Sequence, residues 1–417
     1  MFGLIDGNAF YCSCERAFAP KLRGKPLVVL SNNDGCIIAR TSEAKALGLK
    51  MGEPWHLVQN KPGIEQVQWL SSNYELYGDM SRRMYQVLED IFPLVEPYSI
   101  DEMFLDLRGL PNAYALSHKA RDLVRTIAKI PTCVGIGPTK TIAKLANAIA
   151  KDQPNWHGVC DMSDPEVRHS IYMGTALSEV WGMGPASVEK AAKLGVFSIQ
   201  DFVALPTEEV RKVLTVVGLR THAELNGQSC LALSLVPPQK KMLACTRSFS
   251  RAVTTWEEIR QAVATYAETA ARRLRQAGLY AAGMQVFLQT NPFAPKDPQY
   301  SPQRTFGIEG TSDTRALIAA ALRAAERMWR PHFRYHKVGI ILLDLYSPQS
   351  VPPSLFPSRD PKRSAALMKA MDALGDRYGR GAVRIAATAP EGSWNMKRSR
   401  LSPRYTTAAE EMLTVGV

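Results

Sequence analysis

The sequence predicts a multidomain α+β protein, and three observations predict it. The first 165 residues alternate short apolar strands with amphipathic helical stretches, an α/β or α+β pattern. Residues 166–236 read as short helices punctuated by Gly and Pro. Residues 237–345 run β-α-β-β-α-β, the split βαβ order. With 417 residues and 46% hydrophobic content, the chain suffices for about two to four domains with real cores.

In the first part the expected strands are Phe2–Asn8, Leu27–Leu30, Cys36–Ala39, Val67–Leu70, Val95–Leu107, Thr132–Gly137 and Gly158–Cys160. Helical spacing falls at Thr41–Leu47, Asn73–Phe92, Ala113–Lys129 and Lys140–Lys151. Two of the strands carry acids at places where apolar residues are the rule. The first ends in Asp6, followed by the turn residues Gly7-Asn8. The Val95–Leu107 run is interrupted by Asp101-Glu102. In a regular strand these two would point to opposite faces, so one would enter an apolar core at high cost. They share a task only where the strand bends. Three carboxylates at strand ends, brought together, suit two hard divalent cations about 3.5–4 Å apart, and magnesium prefers such oxygen donors.

Basic residues accompany the acids. Arg40, Thr41, Ser42 and Lys45 open a helix after an apolar strand. Lys140, Lys144 and Lys151 lie along another, after Val134-Gly135-Ile136-Gly137, and Lys140 and Lys144 share a face. Cations at a helix start suit a polyphosphate. Phe10-Tyr11, just beyond the Asp6 turn, are aromatics that either roof the core or line a site. Further on, Val180-Trp181-Gly182-Met183-Gly184-Pro185 reads as a tight turn before a helix. Its glycines would let backbone approach a phosphate.

The third part is expected to form strand Leu243–Arg251, helix Glu257–Ala277, strands Ala282–Thr290 and Arg304–Ile308, helix Thr314–Trp329 and strand Tyr335–Leu345. The first helix buries Ile259, Val263, Tyr266, Ala270 and Leu274 and ends in Arg272, Arg273 and Arg275. Ser347–Lys362 is rich in Pro and Ser and reads as a linker. Net charge separates along the chain. It is −1 over residues 1–236, +8 over 237–345 and +5 over 346–417, together the +12 of the whole. A neutral part followed by a basic one points to nucleic-acid grip in the C-terminal half, where Lys240, Lys241, Arg247, Arg251, Arg272 and Arg273 cluster.

Several classes are excluded. No apolar run approaches the roughly 20 residues of a membrane span, and no cleavable leader is expected before a strand carrying Asp6. Seven cysteines, scattered and odd in number, point to reduced thiols rather than a disulfide framework, and neither they nor the seven histidines make a zinc motif.

Five blocks carry a specific resemblance: Asp6 through Glu15, Ser31-Asn32-Asn33-Asp34-Gly35-Cys36-Ile37-Ile38-Ala39-Arg40, Ser72-Asn73-Tyr74-Glu75-Leu76-Tyr77, Ser99-Ile100-Asp101-Glu102 and Leu401-Ser402-Pro403-Arg404-Tyr405-Thr406-Thr407. The chain resembles, nearly end to end, the UmuC-type Y-family translesion DNA polymerases, the catalytic subunits of DNA polymerase V. The resemblance implies a right-hand polymerase. Its palm would span 1–165 with fingers inserted at about 25–75, a helix-hairpin-helix thumb 166–236, a little finger 237–345, and a linker and tail 346–417. It implies error-prone, template-directed synthesis on primed or damaged DNA in the SOS DNA-damage response. Asp6, Asp101 and Glu102 would be catalytic and, with the Gly7 carbonyl, would hold two Mg2+.

By the same resemblance Tyr11 is the steric gate against a ribose 2′-hydroxyl, and Phe10 forms nearby pocket wall. Lys45 and Lys151 would contact the dNTP triphosphate; Lys45 stands where many relatives carry Arg. Gly182 and Gly184 would hold the duplex backbone. Expected partners are a UmuD′-like dimer and a RecA filament, in the cytoplasm at the nucleoid, with the tail contacting regulatory partners. Pro352-Pro353-Ser354-Leu355-Phe356 lies where relatives carry a sliding-clamp peptide, but its glutamine is missing. The readings from other classes are a catalytically idle DNA-binding partner of the same fold and a two-metal nuclease. The first conflicts with retention of all three acids, and the second lacks a histidine or further acid to position water.

Overall fold

A computed structural model of the protein describes residues 1–234, 239–350, 359–379, 381–388 and 394–412. Residues 235–238 lie outside the described residues, as does the Pro352–Phe356 segment of the expected Ser347–Lys362 linker. The chain forms two compact units, Met1–Pro237 with Ser399–Val417, and Pro238–Arg398. No described helix is long and apolar enough to cross a membrane.

The first unit contains β1 (Phe2–Gly7), β2 (Leu27–Leu30), β3 (Ile37–Arg40), β4 (Gln68–Ser71), β5 (Val95–Pro97), β6 (Glu102–Asp106), β7 (Thr132–Gly137) and β8 (Val159–Asp161). Five of these form a sheet in the order β5-β6-β1-β7-β8, with β1 antiparallel to both its neighbours. Every residue of β1 is buried, because helices cover both faces. Ile5, Met103, Leu105, Val134 and Ile136 pack with the helices Tyr74–Glu89 and Ala113–Ile127. Leu4 and Phe104 pack the other way, against Ala143 of the helix Lys140–Asp152.

That last helix lies unusually close to the sheet. A Cβ on Gly135 of β7 would fall 2.1 Å from both the Ala143 carbonyl oxygen and the Asn147 backbone nitrogen. Asn147 also donates to the carbonyls of Leu4 (3.2 Å) and Cys133 (2.7 Å), tying the helix to β1 and β7. Sequence spacing located the helix; the glycine sets its depth.

One expected strand is two. Val95–Leu107 folds as the antiparallel hairpin β5–β6, with Tyr98–Asp101 as its turn. The N–H groups of Tyr98 and Ser99 both donate to the Glu102 carbonyl, at 3.0 and 3.1 Å. Asp101 therefore sits in the turn and Glu102 opens β6, so neither is forced into the core.

A second sheet, β3-β2-β4, buries Leu30, Ile37, Leu49 and Trp55 on one side. Short helices between Pro165 and Leu225 surround Leu177, Ile199 and Phe202. The segment from Ser399 packs within this first unit: Leu401 makes a parallel bridge with Ser71 and Tyr405 stacks on Phe18.

The second unit contains β9 (Leu243–Val253), β10 (Tyr280–Thr290), β11 (Gln303–Thr311) and β12 (Tyr335–Tyr346), all antiparallel in the order β11-β10-β12-β9. The helices Trp256–Gln276 and Thr314–Met328 supply its core, giving the β-α-β-β-α-β order expected. Ile259, Val263, Tyr266, Ala270 and Leu274 are all buried there. An eighteen-residue helix, Pro361–Tyr378, was not expected. Asp360 caps it and Pro361 occupies its first turn, both readable signals. Met368 is the one side chain it fully buries among those described, so the chain shows little periodicity there. Arg275 fastens it by an ion pair to Asp372 at 2.7 Å.

Candidate active site

Strand register brings the expected acids together. Asp6, at the end of β1, is the direct cross-strand partner of Glu102 at the start of β6. Asp101 is joined to the same place by its carbonyl, which accepts the Gly7 N–H at 2.9 Å. Ser99 organises the turn: its hydroxyl donates to the Asp101 carboxylate (2.6 Å) and accepts the Glu102 N–H (3.0 Å). Gly7 is required for packing, since a Cβ there would meet the Phe10 ring at 2.8 Å.

Lysines from the deep-lying helix face these acids. Lys151 Nζ lies 2.6 Å from Asp6 Oδ2, and Lys144 Nζ reaches Glu102 Oε1 and Oε2 at 2.6 and 2.7 Å. Lys144 also lies 4.7 Å over the Tyr98 ring and 5.6 Å from Trp181. A cavity of about 200 Å³ is lined by Asp6, Glu102, Lys144, Lys151, Glu179 and Trp181. Burial pushes the Asp6 carboxyl up to about 7; the Lys151 ammonium opposes this, and Asp101 and Glu102 add to it. Among the described residues no three acidic, Cys or His side chains converge into a ready-made metal cage. The donor set nonetheless fits hard cations. It consists of oxygens only, and ammonium groups already press on two of the three carboxylates.

The other expected residues divide. Lys45 contacts Asp152, the neighbour of Lys151, at 3.8 Å, with both side chains largely exposed. Arg40 donates to the Leu49 carbonyl, and Thr41 caps the helix Ser42–Ala46, so both hold structure. Phe10 is 3% exposed and belongs to the core, which leaves it little surface for a ligand. Tyr11 is partly exposed, stacked on Tyr77 (4.5 Å, 17°) and edge-on to Tyr74 (6.0 Å). Burial, then Tyr74 and Asp101, push its hydroxyl up to about 12, so Asp101 lies within its electrostatic reach.

Lys140, expected beside the other two lysines, points elsewhere. Its Nζ is buried 2.5 Å from Glu96 Oε2 and 4.7 Å over Phe104. Lys140→Ala is expected to destabilise the protein by roughly 3–5 kcal/mol, because it strands a buried carboxylate. Urea unfolding reads this, and the double variant Lys140→Met/Glu96→Leu should recover most of the loss.

Sequence reasoning missed Glu15. It is 1% exposed and accepts from Tyr77 Oη (2.7 Å) and Ser402 Oγ (3.0 Å) at the same oxygen. Burial pushes its carboxyl up to about 7 although both hydroxyls hold it down. A carboxyl raised by folding costs stability above its folded value and nothing below its ordinary one. Glu15→Gln should therefore gain on wild type between pH 5 and pH 8, by roughly 3 kcal/mol. Asp6 titrates in the same window, so the measure is the difference between the two proteins' urea curves. Parallel pH profiles would refute the assignment.

The expected DNA contacts spread over both units. Gly182 takes φ 89°, which only glycine adopts readily, and Gly184 caps the helix Pro185–Ala192. In the second unit Lys240 and Arg273 line one cleft, and the charges of Arg247, Arg272 and Arg273 all act on Cys245. Lys241 is exposed nearby. Arg251 pairs with Glu258. Register also places Lys337, beside Phe287, with Gln289 and Ser248 on the sheet face away from the helices, a cation not singled out by sequence. A larger cavity, about 1070 Å³, lies between the helices Thr314–Met328 and Pro361–Tyr378 and includes none of Asp6, Asp101 or Glu102.

Comparison with known proteins places this arrangement. The impB/mucB/samB family matches residues 5–148, its C-terminal domain 240–354, and a domain of unknown function 365–415. Protein UmuC of Salmonella typhimurium is 41% identical over 100% of both chains. DNA polymerase IV of Moorella thermoacetica is 29% identical over 92% of this chain and 95% of its own. A solved Y-family DNA polymerase chimera of Dbh and Dpo4 superposes with TM-score 0.66 at 20% identity. It covers 83% of this chain and 100% of that one, a likeness of fold. The chain belongs to the impB/mucB/samB family, the UmuC-type branch of the Y-family DNA polymerases.

Proposed function

We propose that the acid cluster at the ends of β1 and β6 is the nucleotidyl-transfer centre of this DNA-directed DNA polymerase. Membership of the family makes the chain an error-prone translesion DNA polymerase of the SOS response. The observation that carries the assignment is Asp6 directly opposite Glu102, with Asp101 bonded to Gly7 beside them. Two magnesium ions held by Asp6, Asp101, Glu102 and the Gly7 carbonyl would activate the primer 3′-hydroxyl and neutralise the leaving pyrophosphate.

The protein's own groups do the rest. Lys144 orients Glu102, and its contacts with Tyr98 and Trp181 keep it at the cleft wall. Lys151 and, from the neighbouring helix, Lys45 supply positive charge for the triphosphate. Tyr11, backed by Tyr77, closes the side on which a ribose 2′-hydroxyl would lie. Palm, fingers, thumb and little finger correspond in this reading to 1–165, about 25–75, 166–236 and 237–345. Gly182 and Gly184 approach the duplex backbone. Lys240, Lys241, Arg247, Arg251, Arg272 and Arg273 grip phosphates without reading sequence.

We infer a cytoplasmic enzyme working at the nucleoid with a UmuD′-like dimer and a RecA filament. Any clamp contact would run through Leu355-Phe356 without the usual glutamine. The test is primer extension on a primed template with magnesium and dNTPs, with and without those partners. Extension that vanishes in Glu102→Ala supports the assignment, and extension that survives it refutes the site.

A further inference from the structure

The C-terminal block is fastened to the first unit by contacts that lead to one buried acid. Ser71 N–H donates to the Arg400 carbonyl (2.9 Å), and Arg400 N–H returns to Ser71 Oγ (3.0 Å). Asn73, which caps the helix Tyr74–Glu89, donates to Ser402 Oγ (3.0 Å) and to the carbonyls of Ser402 (3.1 Å) and Pro403 (3.2 Å). Ser402, 8% exposed, donates its own hydroxyl to Glu15 Oε1. That oxygen also holds the hydroxyl of the fully buried Tyr77, and Tyr77 is the ring on which Tyr11 stacks.

Glu15 has no ion-pair partner among the described residues. For stability alone an uncharged side chain would serve better in so dry a place. What a carboxylate does better than any neutral group is hold two hydroxyls at one point, here at 2.7 and 3.0 Å, through charge-assisted bonds. Tyr77 is thus fixed at both ends, its ring by packing and its hydroxyl by Glu15. Tyr11 keeps one face on that fixed ring and remains partly exposed on the other.

We propose that Ser402 is a positioning residue for Tyr11, acting through Glu15 and Tyr77, so that the C-terminal block serves in cis as the backing of the nucleotide's sugar pocket. This rests on Tyr11 reading the sugar. It gives the block a task inside the polymerase unit, separate from any contact with regulatory partners.

The test uses the full chain, with S402A, S402T, Y77F and Y11A compared in two ways. One is the ratio of kcat/KM for a deoxynucleotide over the matching ribonucleotide. The other is the 19F resonance of Tyr11 in protein labelled with 3-fluorotyrosine, assigned by Y11F. S402A and Y77F should each lower the ratio about fivefold, the size of one net hydrogen bond, chiefly through the ribonucleotide KM. S402A should shift or broaden the Tyr11 signal, and S402T should restore both readouts. The proposal is overturned if S402A and Y77F keep the wild-type ratio and an unmoved Tyr11 resonance. If Y11A itself keeps wild-type sugar choice while S402A still moves that resonance, the tether stands and Tyr11 is not the sugar reader.

Discussion

Glu102→Ala is expected to slow nucleotide addition by at least about a thousandfold, the equivalent of some 4 kcal/mol of lost transition-state stabilisation. The loss should come without unfolding. Glu102 opens β6 at the edge of the cleft rather than in the core, and its side chain remains partly exposed. The cation it leaves behind, Lys144, keeps the Tyr98 and Trp181 rings and about a quarter of its surface in water. Its stranding therefore costs little, in contrast to the buried Lys140–Glu96 pair. Single-nucleotide extension with magnesium reads the rate, and thermal unfolding with DNA affinity reads integrity. A variant that extends normally would remove Glu102 from the chemistry. One that fails to extend because it has unfolded would show that Glu102 is a fold residue.

A comparably large loss of stability is expected from Gly135→Ala, about 3 kcal/mol or more, at or above the upper end of ordinary overpacking. The added carbon would overlap backbone atoms of Ala143 and Asn147, which cannot rotate away as a side-chain tip can. The helix Lys140–Asp152 must therefore lift from β7, taking Lys144 and Lys151 from Glu102 and Asp6. Stability and activity should fall together in this variant. Gly78→Ala is the control: it lies in the helix Tyr74–Glu89 with nothing within 4 Å of the added carbon. It should be neutral or stabilising by up to about 1 kcal/mol. Equal destabilisation by both would mean that helix–sheet distance is not what Gly135 controls.

These two residues also mark what the sequence makes legible. Element type and order were readable because β1 and β7 are continuous apolar runs and apolar periodicity is strong in the two helices of the second unit. Asp6, Asp101 and Glu102 stood out because acids in apolar strands are costly. The hairpin hidden in Val95–Leu107 was not readable, since Tyr98-Ser99-Ile100 carries no glycine or proline to mark a turn. The three lysines were visible as one stripe, but not their separate partners. Lys140 goes to Glu96 of β5, a fact of tertiary packing. Glu15 was invisible for a like reason, as its two donors come from residues 62 and 387 positions away.

That last separation governs how the chain must be made. The first unit is interrupted by the whole of the second and closed by residues near 400. On a ribosome, Asp34, Ser71 and Asn73 wait with unmet hydrogen bonds until Ser399, Arg400 and Ser402 emerge. The uninterrupted second unit is complete before then and is free to fold first. Translation that stops short of residue 399 should thus yield a folded second unit beside an open first one, a species for quality-control proteases to find.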